Sequence, residues 1–146
     1  MAVDVTTEIM IRRGRNEVAA YSANPDYAPF WYANIQEVSW KTPPPLALGS
    51  RIAFVARFLG RQLAYTYEII EFDPGRRLVM STKEGPFPME TTYTWEDASE
   101  GSTRMTLRNR GAPTGFSSLV APLMVASMRK ANNSDLKALK ALLERT

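Results

Sequence analysis

The sequence contains neither cysteine nor histidine. The first absence excludes disulfides and thiolate chemistry. The second removes the commonest metal ligand and the side chain that ordinarily titrates near neutral pH. Charge of one sign is also scarce, since 18 Lys and Arg against 15 Asp and Glu leave only +3 over 146 residues. Nucleic-acid binding needs basic residues gathered on one face, and so small an excess does not supply one by itself. No apolar run approaches the ~18–20 residues that span a bilayer, and Met1-Ala2-Val3-Asp4 lacks a basic, then apolar, leader pattern. These absences predict a cytoplasmic protein with no membrane insertion and no nucleic-acid partner. Internal repeats, paired carboxylates, a metal-ligand cluster, a nucleophile elbow and a phosphate loop are missing too. The remainder, 45% hydrophobic and 23% charged, is an ordinary globular composition. Its length suits a single domain, 1–146, with a substantial core.

Val3 to Ile11 alternates, with Val3, Val5, Thr7, Ile9 and Ile11 on one face, which predicts a half-buried strand. Asn16–Ser22 carries Val18, Ala19 and Tyr21 and reads as a short helix, and a second short turn follows over Asp26–Trp31. Ile35–Trp40 is a further strand, and Thr42-Pro43-Pro44-Pro45 must be loop because proline cannot feed a sheet ladder.

Three hairpins follow. Taking Gly60-Arg61 as a Gly-first two-residue turn sets Phe58 opposite Leu63, Ala56 opposite Tyr65, Phe54 opposite Tyr67 and Ile52 opposite Ile69. A turn at Pro74-Gly75 sets Ile69 opposite Met80 and Glu71 opposite Leu78. A longer loop over Asp97–Thr103 sets Glu96 opposite Arg104, Trp95 opposite Met105, Tyr93 opposite Leu107, Thr91 opposite Asn109 and Glu90 opposite Arg110. The three registers place Ile52, Phe54, Phe58, Leu63, Tyr65, Tyr67, Ile69, Leu78, Met80, Tyr93, Trp95, Met105 and Leu107 on one face. Arg57, Glu68, Glu90, Glu96, Arg104, Arg108 and Arg110 take the other. A slip of one residue would invert this sorting, so the agreement supports the sheet.

The tail repeats apolar residues at three- and four-residue spacing through Phe116, Leu119, Val120, Leu123, Met124, Met128, Ala131, Leu136, Leu139, Leu142 and Leu143. Arg129, Lys130, Lys137, Lys140 and Arg145 occupy the opposite side. This is a long helix, with Thr114 or Ser117 as N-cap candidates. Pro122 falls near its start, and Asn132-Asn133-Ser134 is a weak point.

One strand, two short helices, six strands and a long final helix is the element order of the START-like, helix-grip (SRPBCC, Bet v 1-like) superfamily. The segment from Tyr67 through Asp73-Pro74-Gly75 to Leu78 resembles that family's central hairpin. Gly85-Pro86-Phe87-Pro88-Met89-Glu90, Gly101-Ser102-Thr103-Arg104 and the ending Leu136–Glu144 are also similar, and the likeness is to the bacterial polyketide cyclase/dehydrase-like branch. The resemblance implies an α+β fold in which a seven-stranded curved antiparallel sheet wraps a long C-terminal helix. It also implies an apolar cavity between them for lipids or polyketides. It does not imply one reaction.

The candidate ligand-binding residues are therefore Phe54, Phe58, Tyr65, Tyr67, Met80, Tyr93, Trp95 and Met105 of the inner face, Asn109 beside them, and Met124 and Met128 of the helix. Aromatic rings offer contact area and methionines adapt to irregular shapes. The same residues could instead simply fill a core. The tyrosine hydroxyls and the Asn109 amide need partners when buried, from a ligand, from one another or from water. No catalytic residue stands out. The inner sheet face carries no Asp, Lys, Arg or His, and Glu71, its one carboxylate, sits by a turn. Arg104 and Arg110 face Glu96 and Glu90, so cross-strand pairing accounts for them. Arg12, Arg13 and Arg15 read as a solvated turn, and Trp31 and Trp40 as packing under the short helices. The expectation is a monomer or homodimer that binds a hydrophobic small molecule, with no metal or organic cofactor. The alternatives are a cyclase/dehydratase using cavity tyrosines as acids, and a protein-interaction module.

Overall fold

The alternation that marks Val3–Ile11 is realised as strand β1, whose even-numbered residues are exposed while Val3, Val5, Thr7 and Ile11 are buried. A computed structural model of the chain describes residues 3–58, 60–84, 88–111 and 121–145. After β1 come helix α1 (Arg15–Ala23), a 3-10 turn (Pro25–Tyr27) and helix α2 (Ala28–Trp31). Strands β2 (Ile35–Trp40), β3 (Arg51–Phe58), β4 (Arg61–Asp73), β5 (Arg77–Thr82), β6 (Met89–Asp97) and β7 (Thr103–Gly111) follow, and then helix α3 (Ala121–Glu144). All seven strands form one antiparallel sheet in the order β1-β7-β6-β5-β4-β3-β2. This is the helix-grip arrangement, with the short helices between β1 and β2 and the long helix closing the concave side.

The three hairpins differ in how far local signals determined them. For β6 and β7 every expected pair is present, including Glu90 with Arg110 and Trp95 with Met105. Arg110 and Glu90 also form an ion pair at 2.7 Å. In β3 and β4 the pairing is displaced by two residues: Phe54 faces Tyr65, Ile52 faces Tyr67 and Ala56 faces Leu63. Phe58 pairs with Arg61, so Gly60, with φ +77°, takes the second central position of the turn rather than the first. A displacement of two preserves the side-chain faces, so the inner surface is unchanged.

The β4–β5 hairpin begins as expected, with Ile69 opposite Met80, but a bulge then sets Glu71 opposite Val79 and Phe72 opposite Leu78. Glu71 is thereby turned to the exposed side, where its carboxylate accepts from Arg77 Nε at 2.9 Å. Its predicted place on the inner face is thus corrected. The extra residue is accommodated because Ile70, exposed, and Phe72, half-buried, are both apolar, and one of them can fill the inner position after the slip.

Helix α3 runs without interruption through Asn132-Asn133-Ser134, so the expected weak point is not a break. Its buried stripe is Asn132, Asp135, Leu136, Leu139 and Leu143. Leu123 is 72% exposed and does not share that stripe. The expected helix residues Phe116, Leu119 and Val120, the N-cap candidates Thr114 and Ser117, the stretch Gly85-Pro86-Phe87 and the side chain of Phe58 lie outside the described residues. Polar ties fix α3 along the β1 edge: Arg129 Nη1 donates to Thr6 O at 3.2 Å, and Lys140 Nζ donates to Met10 O at 2.8 Å.

The arginine cluster after β1 is more than a solvated turn. The backbone N–H of Arg12 donates to Glu144 at 2.7 Å, Arg13 Nη2 donates to Glu144 O at 3.1 Å, and Arg15 Nε meets Asp97 at 3.2 Å. Arg15 Nη1 also donates to Gly75 O at 2.8 Å. Gly75 has φ +81°, a conformation that favours glycine, and a Cβ there would displace the Asn16 side chain, whose Oδ1 would lie 2.9 Å away.

Leu139 is fully buried between helix and sheet. Leu139→Ala should cost about 2–5 kcal/mol of unfolding free energy, whereas Leu123→Ala should change it by no more than about 0.5 kcal/mol. Urea unfolding of the two variants beside the parent chain checks the contrast, and equal effects would contradict this placement of the stripe.

Candidate functional site: a cavity between sheet and helix

Under the N-terminal half of α3 the helix and sheet do not close completely, leaving a cavity of about 370 Å³. That lies within the ~300–1,000 Å³ range of small-molecule sites. Its sheet wall is mostly apolar, with Ile52, Phe54 and Ala56 from β3, Tyr65 and Tyr67 from β4, and Met80 from β5. Met128 and Ala131 of α3 face them, and the exposed Arg57 and Glu84 are also among the lining residues.

Of the residues singled out from the sequence, Phe54, Tyr65, Tyr67, Met80, Tyr93, Asn109 and Met128 line this cavity. Trp95 and Met105 are fully buried in the core instead. Trp95 Nε1 donates to Ser22 Oγ at 2.9 Å, which in turn donates to Val18 O at 2.6 Å, so the indole ties α1 to β6. Met124 is half-buried but lies outside the lining. Neither Trp31 nor Trp40 lines the cavity. Trp31 packs against Tyr32 with ring centroids 4.1 Å apart, and Trp40 Nε1 donates to Asp26 at 2.8 Å.

The sheet's polar groups are largely partnered. Thr91 Oγ1 donates to Asn109 Oδ1 at 2.7 Å, and the Thr91 side chain partly offsets the effect of burial on Tyr67. Tyr93 shares a hydroxyl–hydroxyl hydrogen bond with Tyr32, which follows α2. Burial raises the pKa of all four tyrosines concerned (Tyr32, Tyr65, Tyr67 and Tyr93) above the ordinary phenol value, most strongly at Tyr32, Tyr65 and Tyr93. At neutral pH they are therefore uncharged hydrogen-bonding groups.

Sequence reasoning placed Met128 on the helix side of the cavity but missed the helix's polar residues. Asp135 is only 4% exposed and lines the cavity, its Oδ1 accepting from the Ala33 N–H at 3.1 Å. Burial, partly offset by that hydrogen bond, raises its carboxyl pKa to about 6. One turn earlier, Asn132 is 7% exposed and also lines the cavity, and its Nδ2 has no hydrogen-bond partner among the described residues. The steps of three and four from Met128 through Ala131 and Asn132 to Asp135 carried the signal, but the leucines around them dominated the apolar pattern. Among the described residues no group of three or more His, Cys, Asp or Glu could hold a metal ion, and no helix is long and apolar enough to cross a membrane.

Residues 2–144 match the family model described as "Polyketide cyclase / dehydrase and lipid transport", and the chain belongs to that family. No curated protein matches the sequence. Among solved structures, the chain is similar to TTHA0849 from Thermus thermophilus, with 20% identity and TM-score 0.80 over 94% of each chain. It also resembles a START superfamily protein from Mycobacterium smegmatis, with 10% identity and TM-score 0.83 over 97% of each chain. A third similar structure is the Zhui aromatase/cyclase from a Streptomyces species, with 14% identity and TM-score 0.82 over 99% of this chain and 95% of that one. At these identities the likeness establishes the fold.

The raised carboxyl of Asp135 has a definite consequence for stability. A carboxyl whose pKa rises from 3.8 in the unfolded chain to about 6 in the folded one favours folding below about pH 3.8, and that contribution is lost as pH rises through about 6. Asp135→Asn removes the charge while Asn Oδ1 can still accept from the Ala33 N–H. The variant should be more stable than the parent by about 1–2 kcal/mol at pH 7.5 and indistinguishable from it near pH 4. Thermal unfolding at the two pH values checks this; a difference independent of pH would contradict it.

Proposed function

We propose that this protein binds a hydrophobic small molecule, lipid- or polyketide-like, in the cavity between the sheet and α3. The cavity itself supports this most directly: a large, mainly apolar space lined by four tyrosines, Phe54, Met80 and Met128. An empty apolar volume of this size forfeits packing contacts in the free protein, and a ligand restores them. Membership of a family described by cyclase, dehydrase and lipid-transport roles is consistent with such an occupant.

The test is native mass spectrometry of freshly purified protein, followed by denaturing extraction of whatever is carried along. The expected result is a near-stoichiometric apolar compound, or its uptake when the empty protein is incubated with fatty acids or aromatic polyketides. Ala56→Trp should abolish uptake while the protein stays folded; where that variant does not fold, Ala131→Phe serves from the opposite wall. An empty protein that takes up none of these compounds would overturn the reading.

Asp135 favours a second reading, an enzyme of the cyclase/dehydratase kind. Its raised pKa fits acid–base work near neutrality better than the tyrosines, whose proton release is pushed further from that range. On a β-hydroxy ketone, loss of the proton next to the carbonyl and departure of the hydroxyl as water leave the enone. Conversion of 4-hydroxy-4-phenylbutan-2-one to its conjugated enone can be followed by absorbance. On this reading Asp135→Asn should reduce the rate at least about 100-fold, while Tyr65→Phe changes it little. A rate equal to that in buffer alone would remove support from this reading.

A further inference from the structure

Where α3 meets the loop after α2, the cavity's hydrogen-bonding groups are incompletely paired. Tyr32 and Tyr93 each carry one hydroxyl hydrogen, and the single bond between them uses one, leaving one over. Asn132 Nδ2 adds two N–H groups that have no partner among the described residues. Beside these donors the second oxygen of Asp135 is an available acceptor, its Oδ1 being engaged by the Ala33 N–H. Asn132 and Asp135 lie one turn apart on the buried stripe of α3, and the charge of Asp135 is felt at both tyrosine hydroxyls. Buried groups of this kind call for a partner that can donate and accept at the same time.

We propose that the ligand carries a neutral hydroxyl group on an otherwise apolar body, held between Asp135, Asn132 and the Tyr32–Tyr93 pair; this rests on the binding reading above. The hydroxyl donates to the free oxygen of Asp135 and accepts from Asn132 Nδ2 or from the spare tyrosine hydrogen. A carboxylate head fails the same geometry. It would meet the Asp135 charge at close range, and the only cationic residue in the described lining, Arg57, is an exposed residue of β3. An ammonium head would satisfy Asp135 but leaves the Asn132 donors without an acceptor. The cavity thereby discriminates phenols and alcohols from fatty acids, although both have apolar bodies that would suit its walls.

Four compounds with one ring system test this by equilibrium dialysis against the full chain at pH 7: 2-methylnaphthalene, 2-naphthol, 2-naphthoate and 2-(aminomethyl)naphthalene. Their apolar bodies are matched, so differences report the head group. 2-Naphthol should bind at least about tenfold more tightly than 2-methylnaphthalene, as expected for a hydrogen bond to a charged acceptor, and 2-naphthoate should bind most weakly. Asp135→Leu should remove the preference for 2-naphthol over 2-methylnaphthalene, because the hydroxyl loses its acceptor. The comparison among ligands on the parent chain stands even if that variant does not fold. If 2-naphthol binds no more tightly than 2-methylnaphthalene, or the acid or amine binds most tightly, the hydroxyl assignment is overturned and the cavity remains a ligand site. If none of the four binds, the binding reading falls with it.

Discussion

A helix of 24 residues must cover a curved sheet, and here it is held closely along only part of its length. Leu136, Leu139 and Leu143 bury themselves in the sheet, while Lys140 and the Arg12–Glu144 pair fasten the same half to β1 and the turn after it. Glu144 is held well below the usual carboxylate range, at about 2, chiefly by Lys140 and then by the Arg12 backbone N–H. It is therefore ionised at neutral and mildly acidic pH. Toward the N-terminal half the inward residues change from leucine to the smaller Asn132 and Ala131, with Met128 half-buried beyond them. A cavity follows from this change in side-chain size, because a stiff helix cannot bend inward to close the gap left by smaller residues.

The placement of polar groups follows the same division. On the sheet they are largely partnered, as Thr91 is by Asn109 and Tyr93 by Tyr32 of the loop after α2. On the helix, Asp135 and Asn132 are buried with hydrogen-bonding capacity to spare. An apolar pair at these positions would close the core more cheaply, since burial of a carboxylate without a cation is unfavourable. Stability is sacrificed where the helix meets the hollow, and ligand sites commonly carry such local cost.

Much of the fold was legible because alternation in the strands and the three- and four-residue rhythm of the tail report burial directly. The β6–β7 register could be read in full, since Glu90 opposite Arg110 and Trp95 opposite Met105 agree on one alignment. The β4 bulge could not. Ile69-Ile70-Glu71-Phe72 offers apolar residues on both faces, so period two alone does not say which one turns inward. The turn at Gly60 was ambiguous for a related reason: one glycine can occupy either central position, and the two-residue displacement leaves every face intact. The candidate site was legible on its sheet side, where Phe54, Tyr65, Tyr67, Met80, Tyr93 and Asn109 all reach the cavity. Trp95 and Met105 share that face but lie where α1 and the rest of the core cover it, and an alternation pattern carries no information about what covers a strand.

Asp135 shows why the helix side was harder to read. In a pattern search it counts against burial, as an acidic residue beside Leu136, yet its spacing from Ala131, Asn132 and Leu139 puts it on the inward stripe. A carboxylate at such a position is rare because its desolvation is costly, so its occurrence points to use rather than packing. The apolar walls alone provide limited discrimination. A ligand that buries ~200 Å² of apolar surface gains about 5 kcal/mol, much of which offsets the loss of its free motion. Selectivity among molecules of similar shape must then arise from groups that distinguish their polar atoms. In this cavity those groups belong to the helix and to Tyr32, which extends the chemistry of the site from the sheet face to the loop after α2.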